Sequence, residues 1–531
     1  MSPACPSRRS ASLQASGMAC LAIAALAAAD IPQPRLNPYS VIVAGTEAAI
    51  DGLVANVGKD ATAPFDLAVA ERLETIGLSR LDVVPREGVD GKVIEEALVL
   101  AVVTAAIPTD DITEVGLDAE FGIGGGQTGS LWVTRVDGFS TLDHATQYGV
   151  GETNIAGAMD RSTGRGVIVA VLDTGAHAVG DHASTLVPYS FDAFDGLAPT
   201  TGAATPEPGG DGLDSDGDGA VDECVGHGSF VASLIALVAP EARQLHIRAL
   251  DSDGMTTTIV LGRAVEAAVE AGAHVINISA IVPNDVAGFA TIIARARAAG
   301  VTVVASSGNF PANTPTFPGS YPDAASVSSS GPGRLFSSTF ATYSNAVDLC
   351  APGESLYDMH PVLGPIPVDG ACILGVIGVD PLQPSQPVYA SATGTSFSSA
   401  WVSGAAALVR SGHPEWPNAA VPIDQVGRAV IDQLRANTSA VTNQDIHEGL
   451  VGTGVLDCGG ACASIPIGAI PTTPFDIAAG ANGPRIDAED LSVLLNSWGR
   501  VPVGQISFAD LDGDGSVAGA DLAILLSNWN P

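Results

Sequence analysis

The sequence predicts an α/β protein, a parallel sheet with helices on both faces, carrying a small α-helical calcium-binding module on its C-terminal side. Three observations carry this. From about residue 150 to 460, short β-branched runs alternate with Ala-rich helical stretches, the pattern of βαβ units whose crossover helices cover both faces of a sheet. Hydrophobic residues are 46% of the chain and charged residues 15%, enough apolar material for a large core and too little charge for a disordered polyelectrolyte. Near the C-terminal end, Asp490-Leu-Ser-Val-Leu-Leu-Asn-Ser-Trp498 is echoed by Asp521-Leu-Ala-Ile-Leu-Leu-Ser-Asn-Trp529 at an offset of 31 residues, which marks a separate module with an internal repeat.

A chain of 531 residues has room for two to four domains. Its 22 basic and 58 acidic residues leave a net charge of −36. No basic stripe exists to displace counterions, so nucleic acid is excluded as a partner. Lys59 and Lys92 are the only lysines, an acidity that fits a soluble protein facing salty water.

Residues 1–29 read as an export signal. Arg8 and Arg9 form a positive start, Met18 to Leu26 is apolar, and Ala27 and Ala29 precede a cleavage point before Asp30. The run is too short to span a membrane, and no later segment is long enough either. A secreted protein allows disulfides. Of seven cysteines, Cys5 and Cys20 leave with the signal; Cys350 with Cys372 and Cys458 with Cys462 are candidate local pairs, leaving Cys224 single, and spacing alone does not fix the connectivity. No His-Cys cluster has zinc-ligand spacing.

Residues 30–145 mix the apolar stretch Ala97 to Ile107 with turns such as Gly124 to Gly126 and carry no chemical motif. They read as a propeptide or an accessory region. Within 146–463, Val167 to Leu172 is a buried strand, Phe230 to Val238 a helix, Gln244 to Leu250 a strand and Ile259 to Ala271 an amphipathic helix. Val275 to Ile278 is a strand, Thr291 to Ala299 a helix and Val301 to Ala305 a strand. Residues 197–219 are rich in Gly, Pro, Thr and Asp, a surface insertion. Pro466, Pro471, Pro474 and Pro484 make 464–484 a semi-extended linker to the module at 485–531.

Three stretches carry chemistry: Val171-Leu-Asp173-Thr-Gly175 at a strand end, Gly226-His227-Gly228 opening a helix, and Gly394-Thr-Ser396 opening another. A serine hydroxyl is a poor nucleophile until an imidazole takes its proton, and a carboxylate holds that imidazole in one tautomer. Singly, each residue is equally a cap or a satisfied core group. Together they follow the chain order Asp, His, Ser, one of the three orders of triad hydrolases. The lipase-type Gly-x-Ser-x-Gly is excluded by its order and by Ser398. Asn309, in Ala305-Ser-Ser-Gly308-Asn309 just past a strand, offers an amide to an oxyanion, and the Ser396 N–H offers a second donor.

These blocks resemble the subtilisin-like serine proteases (subtilases, peptidase family S8). Val275-Ile-Asn-Ile-Ser279, Ser307-Gly-Asn309, Tyr343-Ser-Asn345 and Ala351-Pro-Gly353 follow in family order. The resemblance implies a subtilisin-like α/β fold and a secreted serine endopeptidase acting on proteins or peptides through an acyl-enzyme. Asp173 would orient, His227 act as general base, Ser396 as nucleophile and Asn309 as oxyanion donor. The strand around Ser279 to Ile281 would line the S1–S4 side of the cleft. Three departures stand out. Ala400-Trp401 replaces Pro-His after the nucleophile, and Phe230 replaces a second His. Ala280-Ile281 replaces Leu-Gly, and a bulky Ile281 narrows the wall.

Two loops have calcium-type spacing. Asp214, Asp216, Asp218 and Asp222 surround Gly219; Asp510, Asp512, Asp514, Ser516 and Asp521 surround Gly515. Oxygens at alternate positions wrap a hard cation, and the glycine permits the sharp turn. A structural Ca²⁺ is therefore expected. The terminal module resembles a dockerin-type pair of half EF-hands, which implies a cell-surface or cohesin-like partner; its first loop has Ala479, Ala481 and Gly483 where acids belong, so one ion is expected there. Two rivals remain: a catalytically inactive subtilisin-like peptide-binding scaffold, and a calcium-dependent matrix or adhesion protein.

Overall fold

The structure, a computed structural model, describes residues 35–529 except 90–93, 109–110, 124–132, 137–138, 188, 196–199, 202–209, 361–363, 381–382, 444–446, 468–476, 478–485 and 503–504. The export-signal residues, the Gly124–Gly126 turn, much of the insertion and linker, and Ala479, Ala481 and Gly483 lie outside that description.

The N-terminal unit runs β1 (Arg35–Gly45), α1 (Glu47–Lys59), β2 (Phe65–Leu73), β3 (Leu78–Pro85), α2 (Glu96–Ala105) and β4 (Ile112–Gly122). Its strands pair antiparallel in the order β4-β1-β3-β2. Val41 and Val43 of β1 alternate with Ile42, so one face packs Ile50, Leu53, Val99 and Val103 of its own helices and the other faces the rest of the protein.

The central sheet is built from β5 (Ile168–Asp173), then α3 (His227–Val238), β6 (Arg243–Arg248), the short β7 (Met255–Thr257), α4 (Thr258–Glu270), β8 (Val275–Ile278), α5 (Phe289–Ala298), β9 (Thr302–Ser306), β10 (Ala324–Gly331) and β11 (Leu349–Pro352). The order β11-β10-β9-β8-β5-β6 is parallel throughout. β5 and β8 are buried at every position because helices cover both faces. One face packs α3 and the helices α6 (Thr395–Ser411) and α7 (Val426–Ala436); the other packs α4 and α5. Short antiparallel strands at the sheet's edges make it mixed but largely parallel.

The N-terminal unit lies on α4 and α5. Ile42, Leu73, Leu78 and Phe121 join the core of those helices. Glu114 caps α5, its carboxylate accepting from Gly288 N at 2.7 Å and Thr291 Oγ1 at 2.8 Å. Arg263 of α4 is paired with Glu71. The C-terminal module contributes α8 (Ala488–Asn496) and α9 (Gly519–Ser527) around Leu494, Ala509, Val517 and Leu525.

One expectation is corrected: all five described cysteines are free and buried. Cys350 Sγ is directed at the Val451 carbonyl at 3.4 Å, whereas Cys372 Sγ faces the Leu356 carbonyl at 3.4 Å, so that pair sits in different walls. Among the described residues no helix is long and apolar enough to cross a membrane.

Candidate active site

β5 ends on Asp173, at the carboxyl edge of the parallel sheet, where catalytic groups of such folds collect. Asp173 Oδ1 accepts from Thr174 N at 2.8 Å and lies 2.7 Å from His227 Nδ1, with both side chains fully buried. A carboxylate on Nδ1 makes that nitrogen the donor and leaves Nε2 as the basic one. The two glycines flanking His227 are sterically required. A Cβ on Gly226, at φ +88°, would stand 2.2 Å from the Ile377 carbonyl oxygen, and one on Gly228 would stand 2.0 Å from that of Gly175.

Ser396 is the second residue of α6, where free N–H groups and the helix dipole favour negative charge. α6 reaches the α3 side of the site through Phe397, whose ring centroid is 5.4 Å from that of His227 and 4.3 Å from that of Phe230. Asn309 follows β9, and its amide is held in one orientation. Oδ1 accepts from Thr395 N at 2.9 Å and from Thr395 Oγ1 at 3.0 Å, which leaves Nδ2 as a donor. Behind it, Asn277 of β8 donates to Ser279 Oγ at 3.0 Å and accepts from Ser403 Oγ at 2.9 Å, pinning the end of β8 to α6. Phe230, Ala400 and Trp401 are wholly buried packing residues.

Part of the chain itself lies across this edge. The end of β4 lies antiparallel to β7, with Phe121 opposite Thr256 and Gly122 opposite Met255. On its other side Gly122 bridges Ile281, whose N–H donates to the Gly122 carbonyl at 3.0 Å. Ile123 N donates to the Gly254 carbonyl at 3.1 Å. Phe121 packs edge-on against Phe289, centroids 4.9 Å apart. On the far side of residues 124–132, Val133–Val136 pairs with the strand Gln383–Ala392, which leads into Gly394 and Ser396.

The acidic loops converge as trios. Oxygens of Asp214, Asp216 and Asp218 lie within 4.8 Å of one another, and so do those of Asp510, Asp512 and Asp514. Asp222 is a correction: at φ +59° it turns away and caps another turn, accepting from Asp211 N at 2.8 Å. Asp253 takes the place nearer the first trio, accepting from Ser215 N and, at 2.6 Å, from Asp222 N. Burial, with the charges of Asp253, Asp216 and Asp218, pushes Glu223 up to about 7. In the second loop, burial and then the Asp521 charge push Asp510 up to about 7. Asp521 stands outside that trio, its carboxylate receiving the N–H groups of Leu511 and of Ala518, the latter at 2.7 Å. Ser516 is tied to the loop by its backbone, its N–H donating to Asp514 Oδ1 at 2.8 Å.

Sequence reasoning missed Asp253, Thr395, Asn277 and the β4 segment. Thr395 and Asn277 sit inside quoted motifs and had a signal. Asp253 and Phe121 join their partners across long sequence separations, where no local pattern speaks.

Comparison with known proteins agrees with this geometry. The profile of the Subtilase family matches residues 164–454. Subtilisin BL of Lederbergia lenta is 30% identical over 281 residues, covering 51% of this chain and 86% of that protein. An alkaline protease of Alkalihalobacillus alcalophilus is 26% identical over 342 residues, covering 62% and 75%. The solved structure of fervidolysin from Fervidobacterium pennivorans shares the fold at a TM-score of 0.55 and 19% identity, over 82% of this chain and 62% of that one.

Proposed function

Because the chain belongs to the subtilase family and is a serine-type endopeptidase, we propose that it cuts peptide bonds through Asp173, His227 and Ser396, with an acyl-enzyme on Ser396. The observation that carries the reading is the 2.7 Å contact of buried Asp173 with His227 Nδ1, set beside a helix that carries Ser396 in its first turn. His227 Nε2 takes the Ser396 proton as Oγ attacks the scissile carbonyl, then returns it to the leaving amine. The carbonyl oxygen, now negative, takes bonds from Asn309 Nδ2 and the Ser396 N–H, both held in place before reaction. Water activated by His227 frees the acyl group. The substrate lies in the groove as an extended strand between Met255–Thr257 and Ile281.

The chain would be organised as a signal (1–29), a propeptide (30–145), the peptidase domain (146–463), a linker (464–484) and a dockerin-like module (485–531), and the protein would be secreted. The β4 segment in the groove supports the propeptide reading over an accessory domain, since it lies where substrate must lie. Each acidic trio fits a structural Ca²⁺. Hard oxygens converge within 4.8 Å, and burial, then repulsion from neighbouring carboxylates, raises the pKa of Asp510, a cost that a divalent cation relieves. The terminal trio belongs to the dockerin-like reading, in which the module docks a cohesin-like partner.

A fluorophosphonate probe tests the chemistry. The purified protein should be labelled at Ser396 and should cleave peptides, whereas Ser396→Ala should do neither. A wild-type protein that folds but takes no label would instead be an inactive binding scaffold.

A further inference from the structure

We infer that Ile281 closes the pocket for the side chain of the residue bearing the scissile carbonyl, so that this enzyme cuts after glycine or alanine and rejects larger residues. The inference rests on the endopeptidase reading above and names its substrate class.

Asn309 Nδ2 fixes where that carbonyl must be. The side chain on the same residue therefore has to enter between the chain leaving β8, Ser279–Val282, and the chain leaving β9, Ser306–Asn309. Ile281 stands in that gap. It is only 4% exposed. A methyl group placed on Gly308 would stand 3.4 Å from both Cγ1 and Cδ1 of Ile281, so the Ile281 side chain faces Gly308 across a space that takes about one methyl group. The chain just after Ile281 is held in place as well, since Val282 and Phe317 exchange backbone hydrogen bonds at 2.9 and 2.8 Å. No room is left for a Leu or Phe side chain without moving a well-packed isoleucine.

The segment already in the groove adds a second, separate demand for a small residue. Its residues run Phe121-Gly122-Ile123, and the sequence continues Gly124-Gly125-Gly126. Phe121 fills an aromatic pocket against Phe289. A side chain on Gly122 would strike the Gly254 carbonyl oxygen at 2.5 Å and Met255 Sδ at 2.8 Å. The groove thus takes an aromatic residue at one place and demands smallness elsewhere.

The test uses peptides of the form Phe-Gly-Ile-X-Gly-Gly with X as Gly, Ala, Leu or Phe, cleaved by the purified enzyme and by Ile281→Ala and Ile281→Gly. Fluorophosphonate labelling counts active sites, and melting curves check folding. For the wild type, kcat/KM should be at least about tenfold higher with Gly or Ala than with Leu or Phe. Ile281→Gly should raise Leu and Phe at least about tenfold per labelled site, with Ile281→Ala between. Efficient cutting after Leu or Phe by the wild type would overturn the inference, and so would an unchanged preference in both folded variants. If the wild type takes no label and cuts no peptide, the endopeptidase reading falls, and this one falls with it. Should Ile281→Gly fail to fold, Ile281→Ala decides.

Discussion

Two accessory regions grip the same sheet at opposite poles. The N-terminal unit packs on α4 and α5 and lays Phe121–Ile123 across the carboxyl edge, beside the loop after β8 and within the groove. The C-terminal module sits under the amino edge. Gln505 receives a hydrogen bond from His274, the residue before β8, at 2.7 Å, Arg500 donates to the Glu270 carbonyl at 2.7 Å, and Phe508 lies 5.9 Å beneath the Arg165 guanidinium just before β5. In a parallel α/β sheet all the chemistry is at the carboxyl edge. The pole at which a region docks therefore decides whether it governs turnover or only stability.

The largest expected effect tests the first half of that contrast. Ser396→Ala should lower kcat by about a millionfold, the loss measured for the nucleophile of a related subtilase, with the fold retained. If the N-terminal unit is removed by the enzyme's own action, the variant should also remain full-length, while wild-type protein should be cut inside the 30–145 region, within residues 124–132, on N-terminal sequencing. A variant processed like the wild type would mean that another protease does the cutting.

In the uncut Ser396→Ala background the two docking surfaces can be compared directly. Phe121→Ala empties a buried aromatic pocket and should cost about 3–5 kcal/mol in urea unfolding. Phe508→Ala removes a half-buried ring and one cation–π contact, and should cost about 1 kcal/mol. Equal losses would erase the asymmetry between the two regions.

The sheet and the candidate catalytic residues were legible because both are local. A six-residue apolar strand ending in Asp173, or a His between two glycines, advertises itself within a few positions. The observed strands and helices differ from the sequence reading by at most three residues at their ends, the most at α3, which begins at His227 rather than Phe230. What the sequence hid is nonlocal. Nothing near Phe121 announces Phe289 or Met255, and the alternating acids at 214–222 concealed that Asp222 turns away while Asp253 comes in. The expected disulfides failed for the same reason: spacing along the chain says nothing about which wall a thiol faces.

Calcium sharpens the contrast within one experiment. Binding to the folded state alone adds RT ln(1 + [L]/Kd), about 2.7 kcal/mol at a hundredfold excess over Kd. Chelation should lower the melting temperature through both trios. Asp216→Asn, in the loop leading to α3 and His227, should lower activity as well as the calcium-dependent part of that temperature. Asp512→Asn, at the other pole, should lower the temperature alone. Full chelation with no change in melting would leave both loops as solvated acidic turns.

The smallest expected effect concerns acid. His274 is held between Ile168 N, which donates to its Nδ1 at 3.0 Å, and the Gln505 carbonyl. Burial, helped by the Arg410 charge and opposed by the Gln505 carbonyl, brings its pKa down to about 3. The unfolded chain, with an ordinary histidine pKa near 6.5, binds the proton more readily. Stability should therefore be complete above about pH 6.5 and fall as pH drops, by about 1.4 kcal/mol per unit, so roughly 2 kcal/mol between pH 6.5 and 5. His246, also buried and brought down to about 3 by burial and then by His182, adds a slope of the same sign. His274→Asn keeps an acceptor for Ile168 N but cannot take up the proton, so it should remove about half of the acid slope in urea midpoints. Because this pole is remote from His227, the variant should leave the pH profile of kcat/KM where it was. A shift in that profile would show that the module reaches the chemistry after all, and the separation of the two poles would not hold.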